Sequence, residues 1–225
     1  MTRRAGLAGL IFDIDGTLID SNELHARAWR EAFREFGKNV PLDTIRMHIG
    51  KGGDLLVPDI LDARGMRESG KKIQKFRKQL FRRKYMDRVR PFPGIVESFE
   101  QIRDLGIPIV LASSSAPEEV EAYVELLGIG DLIDDTTSAG DAEFSKPNPG
   151  IFDAALDRIE APKSRTAIVG DTPYDILAAH RAATPVAAVR SGGFPEETLA
   201  KAEWRFDDVP QLVKKLGTLD AWFRG

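Results

Sequence analysis

The sequence predicts an α/β protein built on a parallel sheet, with a helical module inserted near the N-terminus. Short apolar runs alternate with helix-patterned segments, as a sheet covered on both faces requires. Residues 21–90 break that alternation, carrying helix patterns and no comparable strand run. Several apolar runs end in aspartate, serine or glycine, which sets polar groups at the ends of strands.

The first strand spans residues 7–12. In the inserted stretch Leu24, Ala28, Phe33 and Phe36 approximate one apolar helix face, while Lys51-Gly52-Gly53 and Arg64-Gly65-Met66 read as interruptions. From Lys71 to Arg90 ten basic residues face the single acid Asp87, with Ile73, Phe76 and Leu80 at helical spacing beneath them. This is an amphipathic helix whose charge is a solvated face, an attraction for an anionic substrate or, as a third choice, a nucleic-acid contact. Pro91-Phe92-Pro93-Gly94 marks the return to the sheet, so 1–20 with 91–225 form the core and 21–90 the inserted domain. Further strands are expected at 107–112, 166–169 and 186–189, with shorter ones near 132–133 and 204–206. Ser115-Ala116-Pro117-Glu118 has the spacing of a capping box, and Asn148 before Pro149 reads as a second helix cap. Trp222 and Phe223 are expected to dock on the core.

Composition narrows the function. With 35 acidic and 32 basic side chains in 225 residues, the net charge of -3 argues against an obligatory nucleic-acid partner. The chain has no cysteine, which excludes disulfides and thiolate catalysis and makes the cytoplasm the expected compartment. Residues 1–4 run straight into strand-like sequence, so neither a targeting segment nor a membrane partner is expected. Monomer and homo-oligomer both stay open.

The chemistry concentrates at strand ends. Asp13 and Asp15 follow an apolar run, a costly place for negative charge unless phosphate chemistry or a cation requires it. One carboxylate can attack phosphorus while the other moves a proton; Gly16 gives the turn room and Thr17 offers a hydroxyl. Ser113, after the strand ending at Ala112, presents a hydroxyl and a backbone amide to phosphate. Lys146 adds a cation beside chain-stiffening prolines, and Asp171 and Asp175 follow the apolar run 166–169 and Gly170. Arg190-Ser191-Gly192-Gly193 reads as a solvated turn or a further oxyanion contact.

In this order Asp13/Asp15, Ser113, Lys146 and Asp171/Asp175 resemble the four motifs of the haloacid dehalogenase superfamily, specifically its phosphatases with a helical cap over a Rossmann-like core. The resemblance covers about residues 7–189. It implies Asp13 as nucleophile, Asp15 as acid and base, Ser113 and Lys146 as phosphate-binding groups and Asp171 as the principal late metal ligand. Asp175 would support the metal shell or orient Lys146. It further implies Mg2+ held by Asp13, Asp171 and the main-chain carbonyl of Asp15, with a small anionic phosphate ester as substrate. A cation is physically needed, because a carboxylate must approach an anionic ester among other carboxylates. The nearest resemblance is to phosphoglycolate phosphatases. Alternatives are a sugar-phosphate mutase of the beta-phosphoglucomutase type and a noncatalytic phosphate-binding protein. His25 and Trp29 match the start of the mutase kind of cap, but Lys51 stands where the mutase pattern commonly has arginine. The intact Asp13/Asp15 pair disfavours the dehalogenases and phosphonatases. Ala182-Ala183-Thr184 departs from the family's alanine-glycine ending, so a different helix exit is expected there.

Overall fold

The computed structural model describes residues 6–224; residues 1–5, which include the expected leaderless start, and Gly225 lie outside the described residues. Six strands form one parallel sheet: β1 (Gly9–Phe12), β4 (Ile109–Ala112), β5 (Asp135–Thr137), β6 (Thr166–Gly170), β7 (Val186–Val189) and β8 (Trp204–Phe206), in the order β5-β4-β1-β6-β7-β8. Between β1 and β4, β2 (Ile19–Asp20) and β3 (Arg90–Pro91) pair as a short antiparallel ribbon, at which the helical segment leaves and rejoins the sheet.

Alternation along each strand divides the core into two layers. Leu10, Phe12, Ile109, Leu111, Ala167 and Val169 point to one face, where helices α6 (Ile95–Asp104), α7 (Pro117–Leu127), α10 (Val209–Lys214) and α11 (Leu216–Arg224) pack. Ile11, Val110, Ala112, Ile168, Val186 and Ala188 point to the other, against α8 (Gly150–Arg158) and α9 (Pro173–Arg181). With both faces covered, the strands read as continuous apolar runs, and so the central ones were visible in sequence.

The segment between β2 and β3 holds α1 (Asn22–Glu35), α2 (Leu42–Arg46), α3 (Gly53–Ile60), α4 (Ala63–Gly65) and α5 (Lys71–Lys84) around a cluster of its own, including Trp29, Phe33, Ile45, Leu56 and Ile73. Leu24 and Phe36 are only partly buried; Ala26, Trp29 and Ala32 share the inner face of α1 with Ala28 and Phe33.

Four local expectations are corrected. The short strand lies at Asp135–Thr137, past Leu132-Ile133, because backbone pairing with β4 makes an edge strand of a polar sequence. Arg64-Gly65-Met66 does not interrupt the helices: α4 runs through a π-helical turn at Met66–Gly70 into α5. Ser115 does not cap α7, whose N-cap Ala116 has no side-chain bond. Asn148 does not cap α8 either; its amide turns back to the Ser145 carbonyl at 3.1 Å. At the exit of α9 the chain passes through Ala183 at φ +52°, a left-handed conformation that favours glycine. Trp222 and Phe223 pack edge-on against each other and near Trp204, and Trp222 stays half exposed. Among the described residues no helix is long and apolar enough to cross a membrane.

Candidate active site

The ends of β1, β4 and β6 are neighbours, so residues up to 158 positions apart in sequence meet at the carboxyl edge of the sheet. β1 pairing continues one residue past the strand, with Asp13 N–H donating to the Val169 carbonyl at 2.8 Å. With the strand ended, the two aspartates part, and the chain turns beyond them at Gly16, φ +77°. Asp13 faces Lys146. Asp15 faces the inserted helices, accepting hydrogen bonds at Oδ1 from Ser21 (2.6 Å) and at Oδ2 from Ser115 (3.1 Å), with His25 Nε2 at 2.7 Å from Oδ1.

Lys146 is almost fully buried and donates to Asp13 and, at 2.7 Å, to Asp175 Oδ1. The other oxygen of Asp175 completes a capping box on α9: it accepts from Thr172 N–H at 3.0 Å while Thr172 Oγ1 accepts from Asp175 N–H at 3.2 Å. Asp175 therefore ties the start of a helix to the lysine. Asp171 is fully buried and accepts from Thr17 Oγ1 at 3.1 Å and Asn22 Nδ2 at 2.8 Å. Two glycines let the chain close around it: a Cβ at Gly16 would lie 2.3 Å, and one at Gly192 1.7 Å, from Asp171 Oδ2. The half-exposed 190–193 loop is tied to the site rather than free in solvent. Its Gly192 carbonyl accepts from Asn22, Ser191 bonds the Gly16 carbonyl, and Arg190 pairs with Glu196 and Asp207.

Carboxylate oxygens of Asp13, Asp171 and Asp175 lie within 4.8 Å of one another, all buried. Burial pushes the Asp13 carboxyl up to about 8, with Asp175 and Asp15 adding to the rise and Lys146 opposing it. Asp171 is raised well above the ordinary range by burial and then by Asp175 and Asp13. Burial pulls Lys146 down, but Asp13 and Asp175 outweigh it and hold the ammonium above its usual value. Three carboxylates against one ammonium leave excess negative charge in a dry site, the condition that a hard divalent cation relieves. The all-oxygen donor set and the glycine cradle at Asp171 fit such an ion. The Asp15 carboxylate stands apart from the three: burial works to raise its proton affinity, but the His25 imidazole and the Ser21 and Ser115 bonds hold it well below the carboxylate range.

A cleft of about 640 Å³ opens over Asp13, Asp15, Ser113 and Lys146 and is walled by Trp29, Lys51 and residues of α5. Ser113 is buried at its floor, but its amide is not free as expected: it donates to the Thr137 carbonyl at 3.1 Å, because β4 pairing with β5 extends past Ala112. Its hydroxyl accepts from Ser115 N–H at 3.1 Å. The neighbouring Ser114 hydroxyl is buried on the cleft without a partner. His25 is held between Asp15 and Arg77 and stacks on Phe81 at 3.9 Å; Trp29 lies under the Arg77 guanidinium at 5.2 Å. Lys51 is engaged by Asp59 and sits over the Tyr174 ring at 4.6 Å. Sequence reasoning missed Ser21, Asn22, Arg77, Ser114 and Ser115; only the serine run at 113–115 carried a signal.

Comparison with known proteins agrees with this geometry. Curated relatives include a pyrophosphatase PpaX of Oceanobacillus iheyensis, 28% identical over 80% of this chain and 82% of that one, and a phosphoglycolate phosphatase of Pasteurella multocida, 25% identical over 90% and 95%. Among solved structures a hydrolase from Pseudomonas syringae superposes with a TM-score of 0.86 at 25% identity, covering 94% of this chain and 99% of its own. A haloacid dehalogenase-like family protein from Streptococcus pneumoniae gives 0.79 at 19%, covering 93% and 98%. The family model described as haloacid dehalogenase-like hydrolase matches residues 10–189, from the strand before Asp13 to the end of β7, and the chain belongs to that family.

Proposed function

We propose that this protein is a magnesium-dependent phosphatase that cleaves a small phosphate monoester through a phosphorylated Asp13. The observation that carries the reading is the buried set of Asp13, Asp171 and Asp175 with Lys146 on the floor of the cleft. Phosphatase and pyrophosphatase names among the relatives support it.

Asp13 attacks phosphorus in line, and the Asp15 side chain, held away from it by Ser21, His25 and Ser115, serves the leaving oxygen and then the incoming water. Asp15 rests ionised, which suits the water-activating step; a phosphate dianion arriving beside it raises its proton affinity for the first step. Lys146 spends two of its three N–H donors on Asp13 and Asp175 and keeps one for a phosphoryl oxygen, with the Ser113 and Ser114 hydroxyls alongside. Asp13, Asp171 and the Asp15 carbonyl would hold the cation, with Asp175 in support, and when bound it supplies the charge that offsets repulsion between carboxylate and ester. Residues 21–90 act as a cap on the core formed by 1–20 and 91–225, contributing His25 and Trp29 to the cleft and excluding bulk water. Lys51 is committed to Asp59, which favours hydrolysis over a mutase's second phosphate clamp at that position.

The test is phosphate release from a panel of phosphomonoesters with Mg2+, alongside intact-protein mass spectrometry of quenched reactions. Turnover together with a phosphoryl adduct on the wild type, both lost in Asp13→Asn, supports the reading; wild-type turnover in Asp13→Asn overturns it.

A further inference from the structure

Helical geometry sorts the basic residues of α5 into two groups. Lys71, Gln74, Lys75 and Lys78 recur at positions i, i+3, i+4 and i+7, share one face, and all line the catalytic cleft. At 1.5 Å per residue this stripe is about 10 Å long, more than one phosphate needs. Lys72, Arg82 and Arg83 do not line the cleft. Among the described residues Lys71 and Lys75 enter no ion pair, while Lys78 has only Glu118 at 3.6 Å; of the cleft's other cations, Lys51 is engaged by Asp59 and Lys146 by Asp13 and Asp175, and Arg77 meets His25 with its buried Nε left without a partner. Pairing does not separate the two groups, since among the described residues Lys72, Arg82 and Arg83 enter no ion pair either; the stripe is set apart by its place on the cleft. Of the acids lining the cleft beyond Asp13 and Asp15, Asp54 is held by Ser145, leaving Glu119 and Glu143.

The scissile phosphate is met by the core residues, so unpaired cations on the opposite wall of the same cleft recognise something else on the substrate. Resting on the phosphatase reading, we propose that Lys71 and Lys75, flanked by Gln74 and Lys78, form a second anion subsite, and that the substrate is a phosphate ester whose leaving group carries a further phosphate. A terminal phosphate fits better than a carboxylate, since its greater charge and extra oxygens can engage two lysines a helical turn apart at once.

The experiment uses three matched series of short alkanediol phosphates of increasing length, ending in a free hydroxyl, a carboxylate or a second phosphate. kcat/KM is measured for each with the wild type and with Lys71→Gln/Lys75→Gln. Binding of the corresponding bisphosphonates, which resist hydrolysis, is followed by calorimetry. In at least one length the terminal phosphate is expected to raise kcat/KM about tenfold or more over the hydroxyl, and the double variant to remove most of that advantage. Equal kcat/KM for hydroxyl and phosphate ends, or an advantage that survives the double variant, overturns the subsite; a preference for the carboxylate end overturns the assignment to phosphate. Bisphosphonate binding that depends on the two lysines, without hydrolysis of any ester, leaves the subsite standing and sinks the phosphatase reading alone.

Discussion

His25 joins Asp15 to Arg77 through the two nitrogens of one ring: Nε2 lies 2.7 Å from Asp15 Oδ1, and Nδ1 meets the Arg77 guanidinium. Arginine can only donate, so Nδ1 accepts and Nε2–H points at the carboxylate. The orientation of Asp15 is therefore set in part from α1 and α5 of the inserted segment, with Ser115 of the core holding its other oxygen.

Replacing His25 by alanine should lower kcat for alkyl phosphates by about a hundredfold, since a misaligned Asp15 forfeits much of its proton-transfer contribution. The loss should be smaller for p-nitrophenyl phosphate, whose leaving group departs without a proton. Steady-state kinetics on both substrates decides this; an equal loss on the two would detach His25 from proton transfer.

The cradle around Asp171 has no room for a methyl group at residue 192, where a Cβ would sit 1.7 Å from Oδ2. Gly192→Ala should displace the carboxylate and weaken Mg2+ binding by about tenfold or more. Magnesium titration of both activity and thermal stability should show the shift, with the circular dichroism spectrum unchanged.

Ser145, next to Lys146, latches core to inserted helices: its hydroxyl accepts from Gly52 N–H at 2.9 Å and donates to Asp54 Oδ1 at 2.6 Å. Ser145→Ala should cost about 1 kcal/mol of local stability and speed amide exchange at Gly52. KM should rise more than kcat falls. Unaltered exchange at Gly52 would show that the latch holds nothing.

Asp220 fastens the last helix to the start of the chain, accepting from Leu7 N–H at 3.0 Å and from Arg224 Nε at 2.6 Å. The Arg224 bond, against a smaller effect of burial, lowers its proton affinity on folding. Stability from this contact is thus fully present above the unfolded pKa of about 4 and lost as pH falls through the lower folded value. Because a third of the side chain is exposed, Asp220→Asn should cost under about 1 kcal/mol at neutral pH. Denaturant titrations down the acid limb should find the difference between the proteins shrinking toward zero.

Ala183 holds φ +52° without being glycine. Ala183→Gly should stabilise the fold by about 0.5–1 kcal/mol, the relief of left-handed strain less the added entropy of the unfolded chain. An unchanged or lower denaturation midpoint would mean that the turn is unstrained.

The central strands and the residues at their ends were legible because burial on both faces writes an uninterrupted apolar run, and a charge that breaks such a run stands out: Asp13 and Asp171 are of this kind. The polar edge strand at Asp135–Thr137 had no such mark, since its pairing partner alone makes it a strand. Ser115 shows the opposite failure. Its spacing to Glu118 is a valid local capping signal, but adjacency of β1 and β4 brings it to Asp15, and the long-range bond prevails. Asn22 and Thr17 are single polar residues with no periodicity; only the fold shows that both reach Asp171.

The place of β1 at the middle of the sheet has a cost during synthesis. It precedes the other strands of the sheet, yet its two partners begin at residues 109 and 166, so about half of the 225 residues must be made before one edge is covered and most of them before both are. Until then an apolar segment with unpaired amides stays uncovered, the condition under which unpaired strand edges are open to wrong pairing. The same delay means that an incomplete translation product ending before β6 carries the Asp13 carboxylate without Asp171 or Asp175.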